Sequence, residues 1–516
     1  MNGAQALIRT LTEAGVEVCF GNPGTSEMHF VAALDTVPRM RGVLCLFEGT
    51  VTGAADGYGR MAGRPAAALL HLGPGLGNGL ANLHNARRAA TPVVTVAGDH
   101  ATYHKRFDAP LESDIDALAG TVSVWVRRSL RGADVAGDAA EAVAAASAPP
   151  GGVATLILPA DVSWTDGAEP APPLPVRPPS TVPAEAIDAA AKALRSGEPC
   201  VILLGGAGVH RAGLAAASRI AQATGARPLG ETFPARMERG AGLPAVDRVA
   251  YLAESATEQF AGARHLILAG ARYPVSFFAY PGKPSRLAPD DCEVHLLAGG
   301  GDDVPGALTA LADLVAAGAG PVVQRPGRPD IPDGDLMPET AAAVIGALLP
   351  EGAIVSDEAN TAGLFLAGAT AGAPPHDWLT LTGGAIGQGL PVATGAAVAC
   401  PARPVIALEA DGSAMYTISA LWTQAREGLD VTTVIFNNRS YAILGFELSR
   451  VGAPGPGDAA RSLLDLSRPD LDFTALAAGM GVPATRATTT AEFADQFGRA
   501  LAEPGPHLIE AMVPGL

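Results

Sequence analysis

The sequence predicts an α/β protein made of three doubly wound parallel-sheet domains. Along all 516 residues, short apolar runs bounded by Gly and Pro alternate with Ala-rich segments of helical spacing, a pattern typical of a parallel sheet covered by helices. Two Pro-rich stretches, around 169–179 and 321–332, resist both helix and central strand and indicate linkers. We therefore expect domains at 1–165, 185–320 and 336–516, each of ordinary size.

The first block begins with a predicted helix over residues 4–14. Five apolar runs then predict buried strands, at 16–20, 43–47, 67–70, 93–97 and 154–158. The segment Gly21-Asn22-Pro23-Gly24 after the first run is rich in turn-forming residues and predicts a tight turn.

The middle and last blocks repeat this pattern of strands and helices. Their predicted strands lie at 201–204, 265–268, 353–355, 405–408, 431–436 and 507–512. The glycines at 205–208 fit a dinucleotide-binding fingerprint poorly, because residue 211 is Arg. We interpret them as a strand-to-helix turn, with a nucleotide site as the weaker alternative.

Composition excludes several classes of function. A net charge of −17 argues against a nucleic-acid partner. No apolar run approaches the roughly 20 residues that a membrane-spanning helix needs, and the amino terminus lacks the basic and apolar regions of a signal peptide. We therefore expect a cytoplasmic protein. The five cysteines form no Cys-x-x-Cys pair, so buried free thiols are expected.

A carboxylate and a side-chain amide suggest a metal site in the last block. Asp411 stands in the segment Ala-Asp-Gly-Ser, and Asn438 follows the apolar run 431–436. One helix and one strand separate them, so their oxygens can lie side by side. Such ligands suit Mg²⁺, which binds few protein groups and takes its other ligands from phosphate and water.

Glu48 follows an apolar run in the first block and precedes a stretch of small residues. A carboxylate at the carboxyl end of a buried strand would be partly desolvated, which raises its pKa and prepares it to share a proton. The alternative is a carboxylate that begins a helix and interacts with its dipole. The residues themselves leave these two interpretations open.

Glu48 with Gly57-Tyr58-Gly59-Arg60, and Asp-Gly-Ser at 411–413 with Asn437-Asn438, together resemble one enzyme family. The chain resembles the thiamine-diphosphate enzymes of the acetolactate synthase, benzoylformate decarboxylase and pyruvate decarboxylase group. The resemblance covers essentially the whole chain, in the order pyrimidine-binding domain, central domain and diphosphate-binding domain.

The resemblance implies a set of cofactor ligands. Mg²⁺ would be bound by Asp411, Asn438 and the backbone oxygen of Ser440. Ile386 would hold the cofactor in its bent form. The residues implied to contact the diphosphate are Gly412, Ser413, Asn360 and Thr361. Those implied on the pyrimidine side, across a subunit interface, are Asn22, Pro23, Gly24, Thr25 and Asn78. A homodimer or homotetramer is therefore expected.

The resemblance also implies the reaction. Glu48 would hydrogen-bond the pyrimidine ring, and a carbanion at C2 of the thiazolium, and then an enamine, would decarboxylate a 2-oxo acid, with or without carboligation. His71 and His100 are the further catalytic candidates. The alternatives are an acetolactate synthase catalytic subunit and a non-catalytic thiamine-diphosphate-binding relative.

Departures from the family pattern bear on the substrate. Ala410 stands where Gly usually precedes the aspartate, and Pro110-Leu111 stands near the Phe-Gln pair of acetolactate synthases, which argues against acetolactate synthesis. Gly270-Ala271-Arg272 resembles the flavin segment of that enzyme without the acidic residues that follow it. We therefore do not expect bound FAD.

Overall fold

The computed structural model describes residues 1–452 and 457–515. Three α/β units follow one another along the chain, and each is built on its own mainly parallel sheet. The predicted fold class is confirmed. Each sheet is formed by strands from one of the three predicted blocks, except that the strand Met237–Arg239 of the central block joins the third sheet. The domain boundaries themselves stay a prediction.

The first sheet has six parallel strands in the order β2-β1-β3-β4-β6-β5. The strands are β1 (Val18–Gly21), β2 (Arg41–Leu44), β3 (Ala66–Leu70), β4 (Val93–Asp99), β5 (Trp125–Arg128) and β6 (Val153–Pro159). The helices are α1 (Gly3–Glu13), α2 (Met28–Leu34), α3 (Glu48–Ala62), α4 (Leu72–Ala89), α5 (Ile115–Gly120), α6 (Val135–Ser147) and α7 (Ala160–Trp164).

The central sheet has five parallel strands in the order β10-β8-β7-β11-β12. The strands of this block are β7 (Cys200–Leu204), β8 (Arg227–Gly230), β9 (Met237–Arg239), β10 (Asp247–Arg248), β11 (His265–Ala269) and β12 (Glu293–Ala298). The helices are α8 (Ala184–Arg195), α9 (Arg211–Thr224), α10 (Ala253–Phe260) and α11 (Val304–Val315). The glycines at 205–208 form the predicted turn, which continues as a short 3-10 helix.

The third sheet has the order β17-β18-β16-β15-β13-β14-β9, and β9 is its antiparallel edge. Its other strands are β13 (Ile354–Glu358), β14 (His376–Thr380), β15 (Val405–Ala410), β16 (Val431–Asn437), β17 (Ala484–Ala487) and β18 (His507–Met512). The helices are α12 (Pro338–Leu348), α13 (Leu366–Ala369), α14 (Gly389–Ala399), α15 (Asp411–Ala414), α16 (Ala420–Glu427), α17 (Ala442–Arg450), α18 (Asp458–Ser462), α19 (Phe473–Gly479) and α20 (Thr490–Ala502).

Small residues allow the first and third α/β units to pack closely along α3 and α14. A Cβ on Gly57 would collide with the carbonyl of Val392, and one on Gly395 would collide with the carbonyl of Ala54. The two helices therefore pack backbone to backbone, which only glycine permits at these positions. Together with packing against α4 and the first sheet, this contact buries α3 almost entirely, from Glu48 to Met61.

Arg60 joins parts of all three blocks. Its guanidinium forms a bidentate pair with Asp56 one turn earlier, at 2.9 and 2.6 Å. It also donates to the carbonyl oxygens of Ala235 at 3.2 Å and Thr380 at 2.8 Å. The pair is fully buried, so the fork geometry of Arg satisfies several acceptors that would otherwise be unpaired.

None of the helices within the described residues combines the length and apolar content that crossing a bilayer would take. All five cysteines are unpaired thiols in the described part of the chain. The expectation that they are buried holds for Cys19, Cys45 and Cys200. It is wrong for Cys292 and Cys400, which are partly exposed because each lies in an irregular segment beside a strand or helix end.

Candidate functional site

Glu48 is the first residue of α3, and the strand predicted to run to residue 47 ends at Leu44. Of the two interpretations left open, the helix start therefore describes its position, although the side chain is also only 7% exposed. Its Oε1 accepts a hydrogen bond from the Asn22 amide at 3.1 Å, and its Oε2 accepts one from the Asn78 amide at 3.0 Å. The structure thus brings three predicted site residues together and fixes both carboxylate oxygens.

His71 lies between β3 and α4 and is paired with a carboxylate. Its Nδ1 lies 2.8 Å from Oε2 of Glu27, and the same oxygen accepts the backbone N–H of Gly24 at 2.8 Å. Glu27 is 1% exposed. Burial raises the pKa of Glu27, while the Gly24 N–H and His71 oppose that rise.

Glu27 was not predicted from the sequence. It ends a 3-10 helix that begins at Thr25, and its side chain reaches back to Gly24, the residue that caps this helix. A Glu three residues after a capping residue is the spacing of a capping box. That signal in Gly-Thr-Ser-Glu at 24–27 was available, but nothing local indicated His71 as a partner.

Glycines create the space in which these side chains meet. A Cβ on Gly75 would lie 3.2 Å from Oε1 of Glu48 and 3.4 Å from Cβ of His71, so these two residues flank it. A Cβ on Gly98, in β4, would collide with the Glu27 carboxylate. Glu48 and Glu27 therefore lie on either side of His71, close to the carboxyl ends of β3 and β4.

His100 follows β4 directly and lies near enough to His71 to feel its charge. Burial lowers its pKa, and His71 is among the charged neighbours that lower it further. Its Nε2 is buried without a hydrogen-bond partner among the described residues, and its ring lies 5.4 Å from that of His104. Of the other residues predicted here, Pro23 is partly buried and Thr25 is exposed.

Asp411 and Asn438 lie at the ends of neighbouring strands, β15 and β16. Asp411 is 2% exposed. Its carboxylate accepts the backbone N–H groups of Gly412 at 2.8 Å and Arg439 at 2.6 Å. The Oδ1 of Asn438 accepts the N–H of Ser440 at 2.9 Å. Burial raises the pKa of Asp411, and the surrounding backbone N–H groups limit the rise.

This donor set fits a magnesium ion. The carboxylate of Asp411 and the amide oxygen of Asn438 are hard oxygen ligands, and the Ser440 backbone lies beside them. Within the described residues, the hydrogen bonds to this buried carboxylate come from peptide N–H groups. It gains from an adjacent cation, because burial without one disfavours its charge.

Gly412 and Ser413 lie in α15, which is a single turn. The helical segment expected after Asp411 is thus interrupted, and α16 begins only at Ala420. A Cβ on Gly412 would collide with the Tyr441 ring. Ala410 has φ of −88°, so no left-handed backbone is required where relatives have Gly, and Ala is accommodated.

The loop that carries Ile386 connects β14 to α14 and is held by a buried glutamate. Oε1 of Glu358 accepts the N–H of Gly387 at 2.7 Å, and Oε2 accepts that of Gly389 at 2.5 Å. Asn82 donates to the carbonyl oxygens of Gly387 at 3.2 Å and Gly49 at 2.8 Å. Neither Glu358 nor Asn82 was predicted as a site residue.

Asn360 and Thr361 begin a 3-10 helix that directly follows β13. Asn360 is exposed and has φ of 50°. Because β13 lies beside β15 in the sheet, the structure places both residues at the edge where Asp411 lies. Their contact with a diphosphate stays a prediction.

Comparisons with known family models identify the class of protein. Residues 1–119 match the profile described as thiamine pyrophosphate enzyme, N-terminal TPP binding domain, and residues 362–511 match that of the C-terminal TPP binding domain. The chain belongs to the thiamine pyrophosphate (thiamine diphosphate) enzyme family.

Two curated relatives align over nearly the whole chain. A protein of Mycobacterium tuberculosis (strain H37Rv), whose name assigns it provisionally as acetolactate synthase large subunit IlvX, is 65% identical and covers 100% of both chains. Benzoylformate decarboxylase of Pseudomonas aeruginosa is 32% identical and covers 97% of this chain and 96% of its own.

Solved structures show the same architecture. The 4-hydroxybenzoylformate decarboxylase of Rhodococcus jostii RHA1 has a TM-score of 0.86 at 25% identity and covers 100% of this chain and 99% of its own. Benzoylformate decarboxylase from Polynucleobacter necessarius has a TM-score of 0.86 at 22% identity, with the same coverage, and shows the fold alone.

Proposed function

We propose that this protein is a thiamine-diphosphate- and Mg²⁺-dependent enzyme that decarboxylates a 2-oxo acid, with or without transfer of the product to a second carbonyl compound. The observation that carries the proposal is the Glu48 carboxylate, fixed by Asn22 and Asn78 beside the His71–Glu27 pair. The decarboxylase names of full-length relatives support it.

The cofactor would be held by the two sheet edges described above. Asp411, Asn438 and the backbone of Ser440 would bind Mg²⁺. The other residues assigned to the cofactor are Asn22, Pro23, Gly24, Thr25, Asn78, Asn360, Thr361, Ile386, Gly412 and Ser413. When bound, the thiazolium ring supplies a nucleophilic carbon and accepts the electron pair released as CO₂ departs.

Glu48 would hold a proton at a ring nitrogen of the pyrimidine. Both of its carboxylate oxygens accept amide hydrogen bonds, so its orientation is set before any ligand binds. Such preorganisation leaves less side-chain freedom to be lost in the reaction.

His71 would move a proton at the substrate. When Glu27 is ionised it only accepts hydrogen bonds, so its contact at 2.8 Å would hold the proton on Nδ1 and leave the lone pair of Nε2 to the substrate. His100, the third catalytic candidate, adjoins this pair and would act as a second proton donor or acceptor.

The active unit in this proposal is a homodimer or a dimer of dimers in the cytoplasm. The first, pyrimidine-binding α/β unit of one chain would face the third, diphosphate-binding α/β unit of another. Each site would then be complete only in the assembled protein.

Reconstitution tests the proposal. The chelator-treated protein is mixed with thiamine diphosphate and Mg²⁺, and its melting temperature and its release of CO₂ from aromatic and aliphatic 2-oxo acids are measured. We expect a rise in melting temperature, because a ligand of the native state stabilises it by mass action, and CO₂ release from at least one acid. The absence of any melting shift contradicts the whole proposal.

A second candidate function is acetolactate synthesis, which the name of the 65% identical relative favours. Incubation with pyruvate, followed by acid treatment and a colour assay for acetoin, separates it from simple decarboxylation. A melting shift without turnover of any 2-oxo acid indicates instead a non-catalytic relative that binds the cofactor.

A further inference from the structure

Two histidines and a glutamate meet at the start of two neighbouring strands of the central sheet. His265 is the first residue of β11 and Glu293 is the first residue of β12. His295 follows Glu293 by two residues, so both side chains lie on the same face of β12. His265 is paired in register with Glu293. The parallel strands therefore place three metal-ligating side chains side by side.

The distances among their ligand atoms approach those of a coordinated ion. Nδ1 of His265 lies 3.1 Å from Nε2 of His295 and 3.7 Å from Oε2 of Glu293. Nε2 of His295 lies 4.0 Å from Oε1 of Glu293. Two nitrogens at about 2.0–2.1 Å from one tetrahedral Zn²⁺ are roughly 3.3 Å apart. Since the Glu293 side chain is 69% exposed, a rotation brings its carboxylate to the same ion.

Glu198 prepares His265 for this role. Its Oε2 accepts a hydrogen bond from Nε2 of His265 at 3.1 Å. Because an ionised carboxylate only accepts, Nε2 carries the proton and Nδ1 presents its lone pair to His295. A carboxylate behind a ligating imidazole is the usual second layer of a zinc site, where it fixes the tautomer and raises the basicity of the ligand.

The surroundings suit a cation of the transition series. The two imidazole side chains are only 10% and 13% exposed, whereas both carboxylates reach solvent and supply negative charge. Imidazole ligands favour Zn²⁺, Co²⁺ or Ni²⁺ over Mg²⁺. The cluster thus differs in chemistry from the oxygen ligands at Asp411.

We propose that His265, His295 and Glu293 bind one divalent transition-metal ion, with water as the fourth ligand and Glu198 as the positioning residue behind His265. The site lies at the amino ends of β11 and β12, and β12 is an edge strand of the central sheet. A bound ion would link edge strand β12 to its neighbour β11 and so stabilise the edge of the sheet. This structural role is separate from the proposed reaction.

The test is metal binding by the full-length untagged chain. The protein is stripped with chelator and saturated with thiamine diphosphate and excess Mg²⁺, and Zn²⁺ is then titrated by calorimetry. A parallel titration with Co²⁺ follows visible absorption. We expect one Zn²⁺ per chain, an intense tetrahedral Co²⁺ spectrum, and a further rise in melting temperature with Zn²⁺.

Variants separate this site from adventitious binding. We expect His295→Ala to lose the stoichiometric binding and the Co²⁺ spectrum, and Glu198→Gln to weaken binding by about 10- to 100-fold. The control is His507→Ala, because His507 is also the first residue of a strand and also lies near a carboxylate, that of Glu503 at 3.4 Å. Equal binding by the wild type and His295→Ala, or no stoichiometric binding by the wild type, overturns the proposal.

Discussion

Single residues in this protein act through the partners that the fold gives them. Glu48 has its two oxygens fixed by Asn22 and Asn78, and Nδ1 of His71 lies 2.8 Å from Oε2 of Glu27. In both cases a titratable group is held by a neighbour from another segment. The chemistry at this scale therefore depends on the pair rather than on the residue alone.

Replacing Glu48 by Gln removes its ability to hold a proton while preserving its shape. We expect kcat for the 2-oxo acid to fall by roughly 10²- to 10⁴-fold, the usual contribution of one acid–base group, with little change in the melting shift that the cofactor causes. The control is Glu185→Gln, an exposed glutamate in the first turn of α8. Unchanged kcat in Glu48→Gln contradicts the assigned role.

His376 gives a pH prediction. Its Nδ1 donates to the Pro374 carbonyl at 2.8 Å, and burial lowers its pKa from 6.5 to about 4. Between pH 6.5 and about 4, His376 is protonated in the unfolded chain but stays neutral in the folded one. The free energy of unfolding that is present above pH 6.5 is therefore lost as the pH falls towards 4. The expected loss is at most about 3 kcal/mol.

The measurement is the free energy of unfolding against pH for the wild type and His376→Gln. The variant should lose less stability over this interval than the wild type does. His507→Gln is the matched control, because His507 also begins a strand and its Nδ1 also lies near the carbonyl two residues earlier, at 3.1 Å. Parallel profiles for wild type and His376→Gln would show that His376 does not cause the loss.

At the scale of elements, the candidate site residues lie near the carboxyl ends of parallel strands. Glu27, His71 and His100 follow β1, β3 and β4 in the first sheet, and Asp411 and Asn438 follow β15 and β16 in the third. Parallel strands bring their carboxyl ends to one edge, which is where open α/β sheets bind ligands. The contact between α3 and α14 then sets how these two edges lie relative to each other.

Gly395→Ala tests that contact. The added methyl group would collide with the carbonyl of Ala54, and two helix backbones must separate to admit it. We expect a loss of about 1–3 kcal/mol in the free energy of unfolding, measured by urea denaturation. Gly137→Ala in α6 is the control, since an added Cβ meets nothing within 4 Å in the described part of the chain. Equal stability of the two variants contradicts the close packing of α3 on α14.

For the molecule as a whole, the question is whether one chain makes a complete site. Glu48 belongs to the first α/β unit and Asp411 to the third, and each chain contains one copy of both units. In the proposed dimer, Glu48 of one chain serves the metal site of the other. A chain altered at Glu48 and a chain altered at Asp411 would then form one intact site between them.

Subunit exchange between Glu48→Gln and Asp411→Asn proteins tests this arrangement. Each variant alone should be nearly inactive. Random exchange makes half of the dimers mixed, with one of two sites intact, so about a quarter of wild-type activity should return. Mass spectrometry of the intact dimers checks that exchange has occurred. Mixed dimers without activity would place both halves of the site in a single chain.

The sequence by itself determined the fold class and the family, and it predicted Glu48, Asp411 and Asn438 as site residues. These are local properties, because strand patterns and short motifs lie within a few tens of residues. It did not locate every boundary, since Glu48 begins a helix where a strand was expected to end. Apolar runs predict burial better than they predict where a strand stops.

Only the tertiary structure decided which distant groups meet. The pairing of His71 with Glu27, the support of the Ile386 loop by Glu358, and the cluster of His265 with His295 join residues tens of positions apart. No local pattern encodes such contacts, because they arise from strand order and register. The same packing buries the Glu27 and Glu358 carboxyl groups, and that desolvation raises the pKa of both.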